Sequence, residues 1–192
     1  HHGFLRTMQV RTATTGEVMV NVVVGENNKK DIEKLMRFVQ AGFPQLTTLL
    51  YTINTKFNDS LHDLQPQVWS GPGFIIEQLE DFQFKIGPKS FFQTASKQAE
   101  ELYKITRTFA ELDGSQVLYD LYCGTGSIGI FCSRGAKKII GVEAIEAAVA
   151  DARENAAMNG VADAQFFAGD VVDVCTEDFF AQHGRADVII TD

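Results

Sequence analysis

The sequence predicts an α/β protein in which a parallel, doubly wound sheet (residues 89–192) follows a smaller α+β domain (residues 1–88). Three observations carry that prediction. After Pro88, short apolar strands alternate with helical stretches, the rhythm of βαβ units. Before Gly87, strand-like segments succeed one another around one amphipathic helix. Within the second half, Asp120-Leu121-Tyr122-Cys123-Gly124-Thr125-Gly126-Ser127-Ile128-Gly129 is a strand that breaks into a glycine turn and restarts as a helix. With 45% hydrophobic residues among 192, the chain has enough apolar side chains for real cores, which excludes a disordered or fibrous protein.

The elements follow in order. Residues 8–12 and 18–24 form two strands joined through Thr14-Thr15-Gly16-Glu17, a hairpin with glycine in its turn. Ile32, Leu35, Met36 and Val39 fall at i, i+3, i+4 and i+7 after Asn27-Asn28, a short amphipathic helix. Residues 49–55 are strand-like, Gly71-Pro72-Gly73 turns into residues 74–79, and Phe82, Phe84 and Ile86 alternate with polar residues as in a half-buried strand. Antiparallel pairing should dominate this domain. In the second domain Ala99, Leu102, Tyr103, Phe109 and Ala110 are expected to share one helix face. Strands are expected at 117–121, 138–142, 165–168 and 187–190, with helices near 127–133, 145–158 and 174–181. Such alternation places ligands at the carboxyl ends of the strands.

Composition narrows the function. Residues 1–90 hold nine Lys+Arg and nine Asp+Glu, residues 91–192 eight and sixteen, so the whole net charge of −8 falls in the second half. By charge alone this is no nucleic-acid binder, and an acidic, solubilising surface explains the balance. No apolar run approaches the roughly 20 residues that span a bilayer, and no signal sequence opens the chain, so a cytoplasmic protein without a membrane partner is expected. Cys123, Cys132 and Cys175 are an odd number without C-x-x-C spacing, which argues for reduced thiols over a disulfide framework or zinc site. The four histidines have no metal-ligand spacing, so no metal is expected; His1-His2 is either an affinity-tag remnant or native sequence.

Read literally, Gly124, Gly126 and Gly129 spell G-x-G-x-x-G, the dinucleotide fingerprint, with Glu143 after the next strand as ribose acceptor. Asp120 argues against it. A carboxylate at the mouth of this turn would repel a pyrophosphate seated on the helix N-terminus, but it suits the ammonium and sulfonium of S-adenosylmethionine. The strand ends supply more acids: Glu143 after the second, Asp170 after the third through Gly169, Asp192 after the fourth. Singly, each is a helix cap or a solvated loop residue; together with the glycine turn they converge on one crevice. There Glu143 can accept both ribose hydroxyls and Asp170 the adenine amino group.

Further residues carry a family likeness. Ser90-Phe91-Phe92-Gln93-Thr94, Gln98-Ala99-Glu100-Glu101-Leu102-Tyr103, the turn itself, Ile140-Gly141-Val142-Glu143 and Asp151-Ala152-Arg153-Glu154-Asn155-Ala156 together resemble the RNA uracil-5-methyltransferases, which make 5-methyluridine in transfer and ribosomal RNA. Gly3-Phe4-Leu5-Arg6 and Thr15-Gly16-Glu17-Val18-Met19-Val20 look like that family's central domain, so the resemblance covers nearly the whole chain. It implies a Rossmann-like, S-adenosylmethionine-dependent methyltransferase fold and an RNA partner for the full-length protein. By position it implies that Gln93, Tyr122, Glu143 and Asp192 bind the cofactor, with Gly124 in the turn and Ser127 and Asp170 approaching it. Phe91 and Gln93 would line the target base. One of Phe91 and Phe92 is expected to be core.

The family chemistry adds a cysteine thiolate to C6 of uracil, so that C5 attacks the methyl sulfonium; a base then removes the C5 proton and the cysteine leaves. That cysteine lies in a Ser-Cys-Asn segment beyond an Asp-Pro-Pro-Arg motif, and Ile189-Ile190-Thr191-Asp192 resembles the start of that motif. No cysteine of this chain matches, so no catalytic residue is assigned within it and the fragment alone is expected to be inactive. A methyltransferase acting on an amino group or small molecule, a non-catalytic binding module and, more weakly, a nicotinamide oxidoreductase remain as alternatives.

Overall fold

The computed structural model describes residues 3–192; His1-His2 lies outside the described residues. The chain forms two compact units, one comprising residues up to Glu77 with Ile86–Lys89, the other Gln78–Lys85 with Ser90–Asp192.

The first unit is built on a four-stranded sheet, in the order β1 (Leu5–Thr12), β2 (Val18–Val24), β3 (Thr48–Ile53), β4 (Gln67–Ser70). The β1–β2 hairpin closes where Ala13 N–H donates to Glu17 O at 2.9 Å, and Gly16 takes φ +86°, a conformation that favours glycine. Two of the three pairings are antiparallel; β2 and β3 run parallel because helix α1 (Lys29–Gly42) crosses between them. Asn28 caps α1 by accepting from Asp31 N–H at 3.3 Å. Ile32 and Met36 of the helix bury against Val20, Val22, Val24 and Leu49, with Leu35 and Val39 packed alongside. Strand β4, absent from the expected elements, is a four-residue edge strand, Gln67-Val68-Trp69-Ser70, too short for a hydrophobic alternation to announce it. A separate hairpin joins β5 (Ile75–Leu79) to β6 (Phe82–Ile86), and its tip, Gln78–Lys85, belongs to the second unit.

In the second unit, helix α2 (Ser96–Phe109) precedes a parallel sheet of β7 (Val117–Leu121), β8 (Lys138–Glu143), β9 (Ala164–Ala168) and β10 (Val188–Thr191), in the order β10-β7-β8-β9. Helices α3 (Ser127–Phe131), α4 (Glu146–Met158), α5 (Val171–Val174) and α6 (Glu177–His183) make the crossovers. One sheet face packs Tyr119, Ile140 and Val142 against Phe167, Phe179 and Phe180. Strand order reverses at β7, which sets the crevice at its carboxyl end.

Two helices differ from expectation in detail. On α2 only Ala99 and Tyr103 are buried, while Leu102 is 47% and Phe109 82% exposed. At about 100° per residue Ala99, Leu102, Tyr103 and Phe109 span about 120°, one broad apolar stripe of which only the Ala99–Tyr103 side is covered. The helix expected near 174–181 is found as α6, starting at Glu177, and is preceded by a separate short helix, α5, that was not expected. Asp170 caps α5, and Thr176 starts α6 anew by accepting from Phe179 N–H at 3.3 Å.

Candidate cofactor site

The glycine turn is held in a conformation that few residues adopt. Tyr122, Gly124 and Gly126 take φ of +60°, +53° and +76° between β7 and α3. At Gly126 crowding adds to backbone: a Cβ would lie 3.0 Å from Ala152 Cβ and from the Phe166 ring. At Gly124 no atom lies within 4 Å of the Cβ position, so there the backbone alone calls for glycine.

Carboxylates pin the turn through its amides. Asp120 is buried, on the α3 side of the sheet, where Oδ2 accepts from Gly129 N–H at 2.8 Å. A Cβ on Gly129 would sit 2.9 Å from that oxygen, which accounts for the third glycine. The expected position of Asp120 at the mouth of the turn is therefore corrected to one beneath it, because neighbouring residues of a strand point to opposite faces. Burial raises its pKa to about 7; the Gly129 N–H opposes the shift, and the charges of Asp192 and Glu143 add to it. Glu143 Oε2 accepts from Gly124 N–H at 3.0 Å and Oε1 from Ile145 N–H at 2.9 Å, tying the end of β8 to the turn.

The remaining expected residues are placed as follows. Tyr122 is 57% exposed beside the turn. Ser127 is buried, with Oγ 2.9 Å from the Tyr103 hydroxyl. Asp170 Oδ1 accepts from Val172 N–H at 2.9 Å as the cap of α5. Gln93 Nε2 donates to Asp192 Oδ2 at 3.2 Å, joining the segment before α2 to the end of β10. Phe92 is the core member of its pair, its ring centroid 5.7 Å from that of Phe84, while Phe91 is 74% exposed.

The thiols are unsuited to attack. Cys123 and Cys132 are buried, and burial, then the charges of Asp120 and Glu143, push the Cys123 pKa far above the usual thiol range; burial pushes Cys132 up to about 12. Among the described residues no group of three His, Cys, Asp or Glu is arranged to hold a metal, and no helix is long and apolar enough to cross a membrane. A cavity of about 480 Å³ opens elsewhere, near the amino ends of β8 and β9, between Arg134, Ile139 and Asp163.

Sequence reasoning missed Asn155, a fully buried polar residue of α4 that donates through Nδ2 to Thr125 O at 3.1 Å. The available signal was a polar residue flanked by Ala152 and Ala156 on a face expected to be apolar.

A parallel sheet with a glycine turn at its reversal point and acids at successive strand ends is the Rossmann-like fold of S-adenosylmethionine-dependent methyltransferases. Residues 112–192 match the family model described as a methyltransferase domain. An uncharacterized RNA methyltransferase of Bacteroides thetaiotaomicron is 48% identical over 99% of this chain and 42% of its own length. Its namesake in Porphyromonas gingivalis is 47% identical over 99% of this chain and 41% of its own. The chain thus spans about two fifths of the length of these curated relatives. Among solved structures, the tRNA (uracil-54, C5)-methyltransferase of Pyrococcus abyssi, in complex with S-adenosyl-L-homocysteine, superposes with a TM-score of 0.72 at 33% identity, over 87% of this chain and 40% of that one.

Proposed function

We propose that this chain is the cofactor-binding part of an S-adenosylmethionine-dependent RNA uracil-5-methyltransferase. The observation that carries the reading is the Gln93–Asp192 hydrogen bond. It ties the segment that carries the exposed Phe91 to the carboxyl end of β10, which supports a reading in which one crevice offers both a cofactor site and an aromatic surface for a base. The uracil-54 methyltransferase of Pyrococcus abyssi supports uracil as the base and transfer RNA as the partner; ribosomal RNA is the other partner that the family resemblance implies.

The residues present fit the cofactor. Gly124 leaves its outer side uncrowded, and Tyr122 flanks it. Each Glu143 oxygen takes one backbone N–H and keeps a lone pair for a ribose hydroxyl. Asp170 and Asp192 lie at the ends of β9 and β10 for the adenine amino and the amino-acid ends of the ligand, and Asp120 adds negative charge from beneath as it ionises near pH 7. When bound, the cofactor supplies an electrophilic methyl group. The chain's own part is to fix that group's position, while Phe91 and Gln93 line the flipped base, which accounts for much of the rate through orientation.

With Cys123 and Cys132 held as thiols, the reading assigns the attacking cysteine and the general base to residues outside this chain, and a cytoplasmic location suits three unpaired cysteines. Calorimetry should show 1:1 binding of S-adenosylhomocysteine by this chain. Labelled methyl transfer to unmodified RNA should be absent with the chain alone and yield 5-methyluridine with the full-length protein. Another methylated nucleoside, or robust transfer by the chain alone, would overturn the proposal.

A further inference from the structure

Helix α4 and its C-terminal cap present Asp151, Asn155 and Asn159 at i, i+4 and i+8, and all three bond outward from the helix. Asn159 Oδ1 accepts from Gln83 N–H at 2.8 Å while its Nδ2 donates back to Gln83 O at 2.6 Å. Asn155 Oδ1 accepts from Lys85 N–H at 2.7 Å, and its Nδ2 donates to Thr125 O at 3.1 Å in the glycine turn. Asp151 Oδ2 accepts from Ser90 Oγ at 2.7 Å, directly before Phe91. Side-chain amides therefore satisfy the edge of β6 that is not paired with β5, where another strand would ordinarily sit. Phe92 packs on the same strand through Phe84.

We propose that this polar rail on α4 is a positioning device, with Asn155 its central member, that holds the Phe91–Gln93 segment and the cofactor turn in one register. The inference rests on the function proposed above and assigns the rail its purpose there. Asn155 is the shared point: one amide group binds the strand on which Phe92 packs and the carbonyl of the turn. A side chain that is fully buried and bonded at both ends has little freedom, so movement on one side is transmitted to the other. None of the three residues is asked to touch substrate or cofactor.

Amide hydrogen exchange on the whole chain, with and without S-adenosylhomocysteine, tests this. Asn155→Ala removes both arms, whereas Asn155→Asp keeps the acceptor for Lys85 and removes the donor to Thr125; Asn159→Ala, at a half-buried site, tests Gln83 should the Asn155 variants not fold. Without ligand, exchange at Lys85 should rise about tenfold in Asn155→Ala and stay near wild type in Asn155→Asp, and exchange at Gln83 should rise in Asn159→Ala. With ligand, the wild type should slow exchange at residues 122–126 and at Gln83 and Lys85 together, and Asn155→Asp at the turn alone. Unchanged exchange in both alanine variants overturns the rail. Ligand-dependent slowing at Lys85 that persists in Asn155→Asp overturns the coupling. A wild type that does not bind the ligand overturns the proposed function, and the ligand-free comparison still decides the rail.

Discussion

Asp120→Asn is the sharpest single perturbation of the site. The substitution preserves shape and keeps an oxygen for the Gly129 N–H, bonded at 2.8 Å, while removing the ionisation. In the folded chain burial raises the Asp120 pKa to about 7, against 3.8 ordinarily, so the native state disfavours the charged form. The stabilisation from holding the proton is complete below pH 3.8 and is lost as pH rises toward 7, because the unfolded chain ionises first. Between pH 5 and pH 8 the wild type should therefore lose about 3 kcal/mol relative to Asp120→Asn, at about 1.4 kcal/mol for each pH unit up to 7. At roughly 2–4 °C per kcal/mol, thermal melts over that range should diverge by on the order of 10 °C, with the variant the more stable at pH 8. If the cofactor's cationic end faces this carboxylate, binding at pH 6 must also release a proton, and affinity should rise toward pH 7. Calorimetry in buffers of different ionisation enthalpy reads that release. Melting curves that stay parallel from pH 5 to pH 8 would refute the buried, proton-holding assignment.

Other consequences are as direct. Gly126→Ala should destabilise by about 2–3 kcal/mol, since strain at φ +76° is compounded by contacts of 3.0 Å, whereas Gly124→Ala, strained but uncrowded, should cost about 1 kcal/mol; thermal melts of equal size would contradict the geometry. Glu143→Gln should weaken S-adenosylhomocysteine binding about tenfold by calorimetry through the lost charge-assisted bonds, and an unchanged affinity would remove Glu143 from the site. A disulfide reagent at pH 8 should modify Cys175 before Cys123 or Cys132, and Cys123→Ser should retain ligand binding; rapid labelling at Cys123 would reopen its role.

What the sequence discloses depends on where each signal resides. Strands β7 and β8 are buried apolar runs, and the turn is punctuated by glycines that only an unusual backbone requires, so both are legible without coordinates. Strand β4 is held by backbone pairing to β3 and is only four residues long, so its Val68-Trp69 pair is too short a run to mark a strand. On α2 periodicity identifies the apolar stripe but cannot tell its buried Tyr103 from its exposed Phe109. At the site, the strand-end acids were legible as a set, but their partners were not. Asp120 looks the same in sequence whether it faces solvent or lies beneath a helix, and Asn155 acquires meaning only when Lys85 and Thr125 are brought to its two ends.

Those partners explain how an irregular turn becomes a fit cofactor cradle. Three side chains from three elements bond to the turn and the start of α3 that continues it, at separate backbone atoms: Asp120 of β7 at Gly129 N–H, Glu143 of β8 at Gly124 N–H, and Asn155 of α4 at Thr125 O. A turn fixed at three points has little conformational freedom left to lose when a ligand arrives, so binding energy is not consumed in ordering it. The acids therefore act twice. They hold the backbone of the site, and, in the proposed function, present negative charge to a cationic methyl donor. Glu143→Gln and Asn155→Ala each free a backbone atom of the same turn, at Gly124 N–H and Thr125 O, so their losses of ligand affinity on combination should be less than additive, as expected for residues that support one structure.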